Sequence, residues 1–388
     1  VQSLGSAIWG LFFKGVAAVL GASIAVVGLV AWDVSNQFNA NGIQLVDADG
    51  NAFQAPTGED LKGPINILLI GSDTRAGQGE GFGNDTSVLA DVIILLHISA
   101  DRKSASAVSF PRDLLVPWPA CPSTTGGPGY LPQSLGQLNA TIANGGPGCT
   151  LLTIEQLTGL KIPYLAMIEF NGVIEMSNAI GGVDVCVSQE INDPYTQTYL
   201  KPGEYTLQGK AALQFLRTRH GVGDGSDLSR ISNQQVFLTS MVRKLKDEGA
   251  LINPFTMFRL GTAALSNMTL SKSLTDLGVI FGLAQQVNQV DLDKITFIKL
   301  PVYDLDGEYA GRVAPSPERA AELFELMASD KPLVLAEANP GSGAVVAEES
   351  PVVDATLESS DPAAIEGEVA VLPEWVQGTN AATKSCSN

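Results

Sequence analysis

Histidine and cysteine are scarce in this chain of 388 residues, which has two of the former and four of the latter. No CxxC and no Cys/His pair stands at ligand spacing, which excludes a zinc site. The Walker GxxxxGK[ST] run, a GxGxxG after a strand and a GxSxG elbow are missing too. Their absence argues against a P-loop nucleotidase, a dinucleotide enzyme and a serine hydrolase. His97 falls inside an apolar run and reads as a core residue. His220 borders a motif but lacks metal-ligand spacing.

Positive charge is the other shortage. Lys and Arg number 23 against 41 Asp and Glu, a formal net charge of −18. An acidic chain without a basic reading helix is no nucleic-acid binder. Long apolar runs are lacking after Trp32. Before it, Ile8 to Trp32 is apolar except for Lys14, enough for one slightly short bilayer span. We read residues 1–33 as an uncleaved transmembrane signal anchor; a cleaved signal peptide is the rival reading, but no small-x-small site follows Trp32. The chain begins at Val1, so orientation leans on the cysteines rather than on flanking charge. An even count beyond an anchor favours disulfides on the oxidising side. Cys121 with Cys149 would close one Gly/Pro-rich loop, and Cys186 would pair with Cys386 unless it is merely a small core residue.

Residues 34–63 are expected to link anchor and domain, 64–330 to form one α/β domain with its motifs in 64–245, and 331–388 to be an acidic, mostly disordered tail. Only Val369 to Val376 and the surroundings of Cys386 hint at docking back. Strands are predicted at Ile65 to Ile70, Asp91 to Ile98 and Ser104 to Phe110, then at Tyr164 to Phe170, Val183 to Val187 and Ile295 to Leu300. Cys121 to Gly148 reads as a long loop. Helices are predicted at Leu151 to Leu157, at Val173 to Ala179 with Asn171 as cap, at Gln208 to Arg217, from Asp227 as cap to Leu245, at Leu274 to Val287, and from Ser316-Pro317 to Met327.

The rare cations gather. Gly71-Ser-Asp-Thr-Arg75, Ser109-Phe-Pro-Arg-Asp113 and Arg217-Thr-Arg219 each end an element, and the last continues to Arg230 and Gln234 one turn apart on a helix. Guanidinium forks match phosphate oxygens in pairs, so convergence of Arg75, Arg112, Arg217, Arg219 and Arg230 would make a phosphate or diphosphate site in an otherwise anion-repelling surface. Structural ion pairing with Asp73, Asp113 and Asp227 is the plain alternative. Asp73 and Asp91 flank two strand ends; with a diphosphate, their hard oxygens would hold Mg²⁺ or Mn²⁺. Asp85 competes with Asp91 by residue type.

These motifs, with Leu138-Asn139-Ala140, Gly145-Gly-Pro147, Ile180-Gly-Gly-Val-Asp184 and Leu216-Arg-Thr-Arg-His220, resemble the LytR-CpsA-Psr (LCP) family from about Pro64 to Leu245. The resemblance implies an LCP-type domain with a central mixed sheet flanked by helices. It also implies a membrane-anchored, extracytoplasmic phosphotransferase moving a glycopolymer from a polyprenyl diphosphate carrier to peptidoglycan. By that analogy Arg75, Arg112, Asn139, Arg217, Arg219, Arg230 and Gln234 bind the diphosphate, and Asp91 rather than Asp85 joins Asp73 on Mg²⁺. Asp73, Arg75, Arg112, Arg217 and Arg219 serve transfer, Asp73 being the candidate base. Asn233 departs from the arginine many members carry there. The Cys121 loop and the Arg219-His-Gly-Val-Gly-Asp-Gly225 run look most like members from mycolic-acid-containing actinobacteria, which implies arabinogalactan on decaprenyl diphosphate. A lipid groove would be lined by helices near Leu151 to Leu160 and Ile174 to Ile180, unless those residues are simple core. A polyprenyl diphosphate pyrophosphatase and a non-catalytic lipid or polyanion-binding regulator are the alternatives.

Overall fold

Three apolar runs become the centre of a sheet because β-branched residues at both parities leave two faces to cover. They are β1 (Ile65–Ser72), β2 (Ala90–Ile98) and β3 (Ala105–Phe110), an antiparallel meander. The structure, a computed structural model, describes residues 42–47, 50–52, 63–74, 88–123, 129–250, 253–347 and 369–388. The predicted anchor lies outside these residues, as do Arg75 and Asp85; among the described residues no helix is long and apolar enough to cross a membrane.

β4 (Leu115–Trp118) and β5 (Gln133–Gln137) pair as a hairpin. β6 (Tyr164–Ile168) joins β1 in parallel, and β11 (Met268–Leu270) borders β6. On the other side β12 (Ile295–Lys299) runs parallel to β3, with β18 (Gly378–Asn380) beyond it, so the mixed sheet has the order β11-β6-β1-β2-β3-β12-β18. Period-2 alternation sorts the side chains. Leu68, Ile70, Leu95 and Val108 pack on one face with α1 (Gly146–Thr158) and α7 (Pro317–Ala328). Ile67, Ile94 and Ala107 pack on the other with α4 (Asp227–Asp247) and α6 (Leu277–Gln289).

A smaller sheet has the order β10 (Gly203–Leu207), β7 (Val183–Val187), β19 (Ser385–Ser387), β16 (Ala344–Val346). Its Val183, Val185 and Val187 bury against Phe215 of α3 (Lys210–Arg217) and Phe237 of α4. Helices α2 (Phe170–Ala179) and α5 (Pro254–Asn267) pack beside it. Three more strand pairs complete the described fold: β8 (Ile191–Asp193) with β9 (Thr198–Leu200), β13 (Val302–Asp304) with β14 (Val313–Pro315), and β15 (Leu333–Leu335) with β17 (Ala370–Leu372).

The C-terminal reading is corrected. Residues 332–347 and 369–388 are built into the domain, because β18 extends the main sheet and β19 inserts between β7 and β16. The Cys186–Cys386 disulfide crosses a sequence separation of 200 residues to hold it there; Cys121–Cys149 is the second disulfide. Residues 348–368 lie outside the described residues. In the predicted linker, Ile43 bridges Ser271 and Leu45 is buried.

Other corrections are local. The 121–148 stretch holds β5 and a 3-10 segment, Leu138–Asn144, rather than loop alone. Asn171 lies inside α2 instead of capping it. The α4 cap is Ser226, whose hydroxyl accepts the Ser229 amide, so Asp227 stands in the first turn.

Candidate functional site

The site forms where β1, β3 and α3 end and β2 and α4 begin. At the end of β1 the ladder slips: Gly71 pairs Val92 while Ser72 pairs Ala90, so Asp91 is the extra residue of a bulge. Bulges re-aim side chains, and here Asp91 meets Arg112 Nη1 at 2.6 Å. Pro111 stops β3 and delivers Arg112. The same carboxylate oxygen lies 3.9 Å from Arg230 Nη1, and Arg230 Nη2 donates to the Asp91 carbonyl at 2.7 Å.

Asp227 closes the cluster from the first turn of α4. Its Oδ2 accepts the Arg112 backbone N–H at 3.1 Å, and its Oδ1 lies 2.6 Å from Arg230 Nη2 as an ion-pair contact outside hydrogen-bond geometry. Asp113 holds the outer side, where its Oδ1 receives Arg312 Nη1 at 3.0 Å and Gln137 Nε2 at 2.8 Å. Asp113 and Asp227, named from sequence as ion-pair partners of the arginines, do pair with Arg112 and Arg230; Arg312 is the site residue that the sequence reading misses.

Arg219 differs from its neighbours. Its guanidinium has no ion-pair partner among the described residues, and its Nε–H is buried without a hydrogen-bond partner. Burial, and next the positive charges of Arg112 and Arg230, hold its pKa below the ordinary value. For Arg112 burial acts in the same direction, but Asp91, Asp227 and Asp113 outweigh it and hold the pKa up. The Nε–H groups of Arg112 and Arg230 are also buried without hydrogen-bond partners. Three crowded guanidinium groups with unsatisfied donors form a receptor for an anion that supplies several oxygens.

Behind this cluster lies an apolar cavity of about 330 Å³ between the sheet and helices α2, α3 and α4. Leu69, Ile94, Ala166, Val173, Leu213 and Phe237 are among its walls, and Asp91, Glu169, Arg217, Arg230 and Gln234 are among its polar lining. Arg217 Cζ sits 4.3 Å from the centre of the Phe170 ring, a cation–π contact that fixes the guanidinium at the end of α3. Of the two helices expected to line a groove, one lines this cavity. Helix α2 lines the cavity, but Leu151 and Ile154 of α1 are buried in the core on the opposite face of the sheet.

Gln234 lines the cavity and donates Nε2 to Leu216 O at 3.1 Å, tying α4 to α3. Asn139 is buried, and its backbone N–H donates to the Arg112 carbonyl at 3.2 Å. Asp73 follows β1 and accepts the Leu89 amide at 2.8 Å, which holds the two strand ends together. Asn233 is filled from another direction, since Ser387 Oγ donates to its Oδ1 at 2.6 Å. His97 is a core histidine, with Nδ1 2.8 Å from Asn66 Oδ1.

Among the described residues no three His, Cys, Asp or Glu side chains cluster as a metal cage. Asp73 and Asp91, at neighbouring strand ends, are the residues that could hold Mg²⁺, which takes few protein oxygens and completes its shell with water and phosphate.

Similarity decides the family. The sequence profile of the LytR_cpsA_psr family matches residues 34–324. The chain belongs to the LytR-CpsA-Psr family. It is 27% identical over 316 residues to the cell wall biosynthesis protein LcpA of Corynebacterium glutamicum, covering 74% of this chain and 58% of that protein. It therefore spans little more than half the length of that relative. It is 28% identical over 281 residues to the polyisoprenyl-teichoic acid–peptidoglycan teichoic acid transferase TagU of Enterococcus faecalis, covering 71% of this chain and 82% of that protein. The LytR-Csp2A-Psr enzyme from Actinomyces oris shares the fold, with a TM-score of 0.53 at 22% identity over 74% of this chain and 96% of that one. This LCP domain is accordingly an α/β unit with a central mixed sheet and flanking helices.

Proposed function

We propose that this LCP protein is a glycopolymer phosphotransferase, moving a sugar polymer from a polyprenyl diphosphate to peptidoglycan through a phosphodiester link. The observation that carries the reading is the union of two unlike receptors: unsatisfied arginine donors next to an apolar cavity. A prenyl chain suits the cavity and its diphosphate the guanidinium groups. The relatives named for cell wall biosynthesis and teichoic acid transfer support it.

In this reading Arg112, Arg217, Arg219 and Arg230, with Arg75 from outside the described residues, hold the diphosphate while Gln234 and Asn139 brace the site. An acceptor hydroxyl attacks the sugar-linked phosphorus, an O–P bond forms, and the bond to the lipid phosphate breaks. Lipid monophosphate departs with charge spread over oxygens that the arginines face. Asp73 accepts the hydroxyl proton. A Mg²⁺ ion on Asp73 and Asp91 would add charge neutralisation to the diphosphate. The polymer is arabinogalactan on decaprenyl diphosphate, in keeping with the corynebacterial likeness, and the domain works on the outer face of the cell membrane, held by the apolar segment Ile8 to Trp32.

The test incubates the full chain in detergent with labelled lipid-linked polymer and cell wall fragments. Wall-linked label that survives extraction is expected. Release of free phosphorylated polymer with no label on the wall would make the protein a pyrophosphatase and end the transferase reading.

A further inference from the structure

Beyond Arg219, on a part of the molecule that does not line the apolar cavity, stands an aromatic pair that the transfer scheme leaves unused. Tyr195, in the turn between β8 and β9, is 79% exposed, and its ring centroid lies 4.6 Å from that of His220 at an interplanar angle of 45°. An exposed tyrosine is ordinary; one packed beside a histidine on an anchored turn is less so. Asp193, with 0% exposure, binds the turn and the arginine motif together. Its Oδ1 accepts the amides of Tyr195 at 3.0 Å and Thr196 at 3.4 Å. Its Oδ2 accepts the Thr218 hydroxyl at 2.7 Å and the amides of Arg219 at 3.0 Å and His220 at 3.2 Å. A Cβ at Gly221 would meet Ile191 Cγ2 at 2.9 Å and Asn192 N at 3.1 Å, so the hairpin sits directly on this segment. One buried carboxylate therefore ties the backbone that carries Tyr195 to the backbone of Arg219 and His220.

We propose that Tyr195 and His220 form a saccharide subsite that takes the sugar joined to the carrier diphosphate. The inference rests on the phosphotransferase reading above. A carrier with its tail in the cavity and its diphosphate on Arg217, Arg230 and Arg219 continues away from the cavity, past Arg219, and the group attached beyond its diphosphate is a sugar. A sugar ring presents C–H groups on its faces and hydroxyls on its rim. Aromatic faces carry negative charge density that suits those C–H groups, while the tyrosine hydroxyl and the imidazole nitrogens reach the rim. Around the pair, exposed Pro194 and Tyr199 alternate with the polar Asn192, Thr196 and Gln197, a mixed surface of the kind that sugars contact. Anchoring of the turn by Asp193 lowers the backbone ordering cost of binding.

The experiment compares two soluble short-chain probes on the full chain, a prenyl diphosphate and the same prenyl diphosphate carrying a disaccharide, with Tyr195→Ala, Tyr195→Phe and His220→Ala. The wild type binds the glycosylated probe more tightly. Tyr195→Ala weakens that probe about tenfold, the loss typical of truncating an aromatic anchor, leaves the bare diphosphate unchanged, and is rescued by Tyr195→Phe. Equal weakening of both probes would mean that the ring only supports the Arg219 segment, and the subsite would be rejected. An unchanged glycosylated probe rejects it as well, as does a loss seen only with peptidoglycan fragments, which would place the acceptor there. If the wild type holds neither prenyl diphosphate, the diphosphate reading itself falls and the subsite with it.

Discussion

Asp227 accepts the backbone N–H of Arg112 at 3.1 Å across 115 residues of sequence, joining the end of β3 to the first turn of α4. The same carboxylate faces Arg230, and the two side chains are 8% and 4% exposed. Removing one charge of a buried pair leaves the other uncompensated. Asp227→Asn keeps the shape and an oxygen for the Arg112 amide but loses the charge. It is expected to cost about 3 kcal/mol of stability, the low end for breaking such a pair, because Arg230 keeps its bond to the Asp91 carbonyl. Urea unfolding measures it, and a loss under about 0.5 kcal/mol, the range of an ordinary surface substitution, would show that Asp227 is not structural.

Arg219 should behave in the opposite way. Its charge is crowded by Arg112 and Arg230 and lacks an ion-pair partner among the described residues, so it opposes the unliganded fold. Arg219→Gln is expected to raise stability by roughly 1 kcal/mol, or a Tm increase of about 2–4 °C for a domain of this size, while diphosphate binding and wall ligation collapse. Calorimetry with and without a prenyl diphosphate reads both effects. A destabilised variant with intact ligation would contradict the assignment.

The cavity makes a separable prediction. Val173 on α2 lines it beside Leu213 and Phe237. Val173→Trp fills space that a prenyl chain needs, so affinity for a long-chain prenyl diphosphate should fall by about an order of magnitude, or about 1.4 kcal/mol. Inorganic diphosphate does not enter the cavity, and its binding should persist. Parallel titrations decide; equal losses for both ligands would place the lipid elsewhere.

Legibility from sequence tracks the length and continuity of each signal. β1, β2 and β3 are apolar runs with abrupt ends, so both the strands and the arginine and aspartate residues at their ends are visible in it. The bulge at Gly71 and Ser72 that turns Asp91 toward Arg112 is not, because register depends on the partner strand. Strands β15 to β19 are three residues each and carry no period of their own. They exist through pairing with distant strands, so an acidic, Pro- and Ser-containing stretch reads as a tail. Helices α1 and α2 look alike in composition; which of them lines the cavity is set by the face of the sheet each covers.

The C-terminal strap predicts a stability effect on the site. Beyond the Cys186–Cys386 disulfide, the Asn388 carbonyl accepts the Gly223 amide at 2.8 Å, and Ser387 binds Asn233 between Arg230 and Gln234 in sequence. A link closing about 200 residues restricts the unfolded chain strongly, and replacing Cys186 and Cys386 together by serine is expected to cost about 5 kcal/mol on the loop-entropy scale. Cys121 and Cys149, 28 residues apart, should cost roughly 3.6 kcal/mol. Hydrogen exchange should rise at residues 221–234 in the first variant alone. Protection of that segment equal to the wild type would refute the strap.

Lys299 gives a pH signature. It ends β12 with 3% exposure, and its Nζ donates to Ser232 Oγ at 2.5 Å on α4. Burial lowers its pKa to about 8, against a partial pull upward from Asp224. In the unfolded chain a lysine titrates near 10.4, so between roughly pH 8 and 10.4 the unfolded state binds more protons than the folded one. Stability therefore rises with pH across that window, by at most about 3 kcal/mol from this group, and the full cost of the buried charge stands below pH 8. Lys299→Met removes the titrating group and should flatten this contribution, leaving a variant whose advantage over the wild type is largest at neutral pH and shrinks by pH 10. Urea midpoints from pH 7 to 10 test it, and parallel curves for the two proteins would show that Lys299 titrates normally.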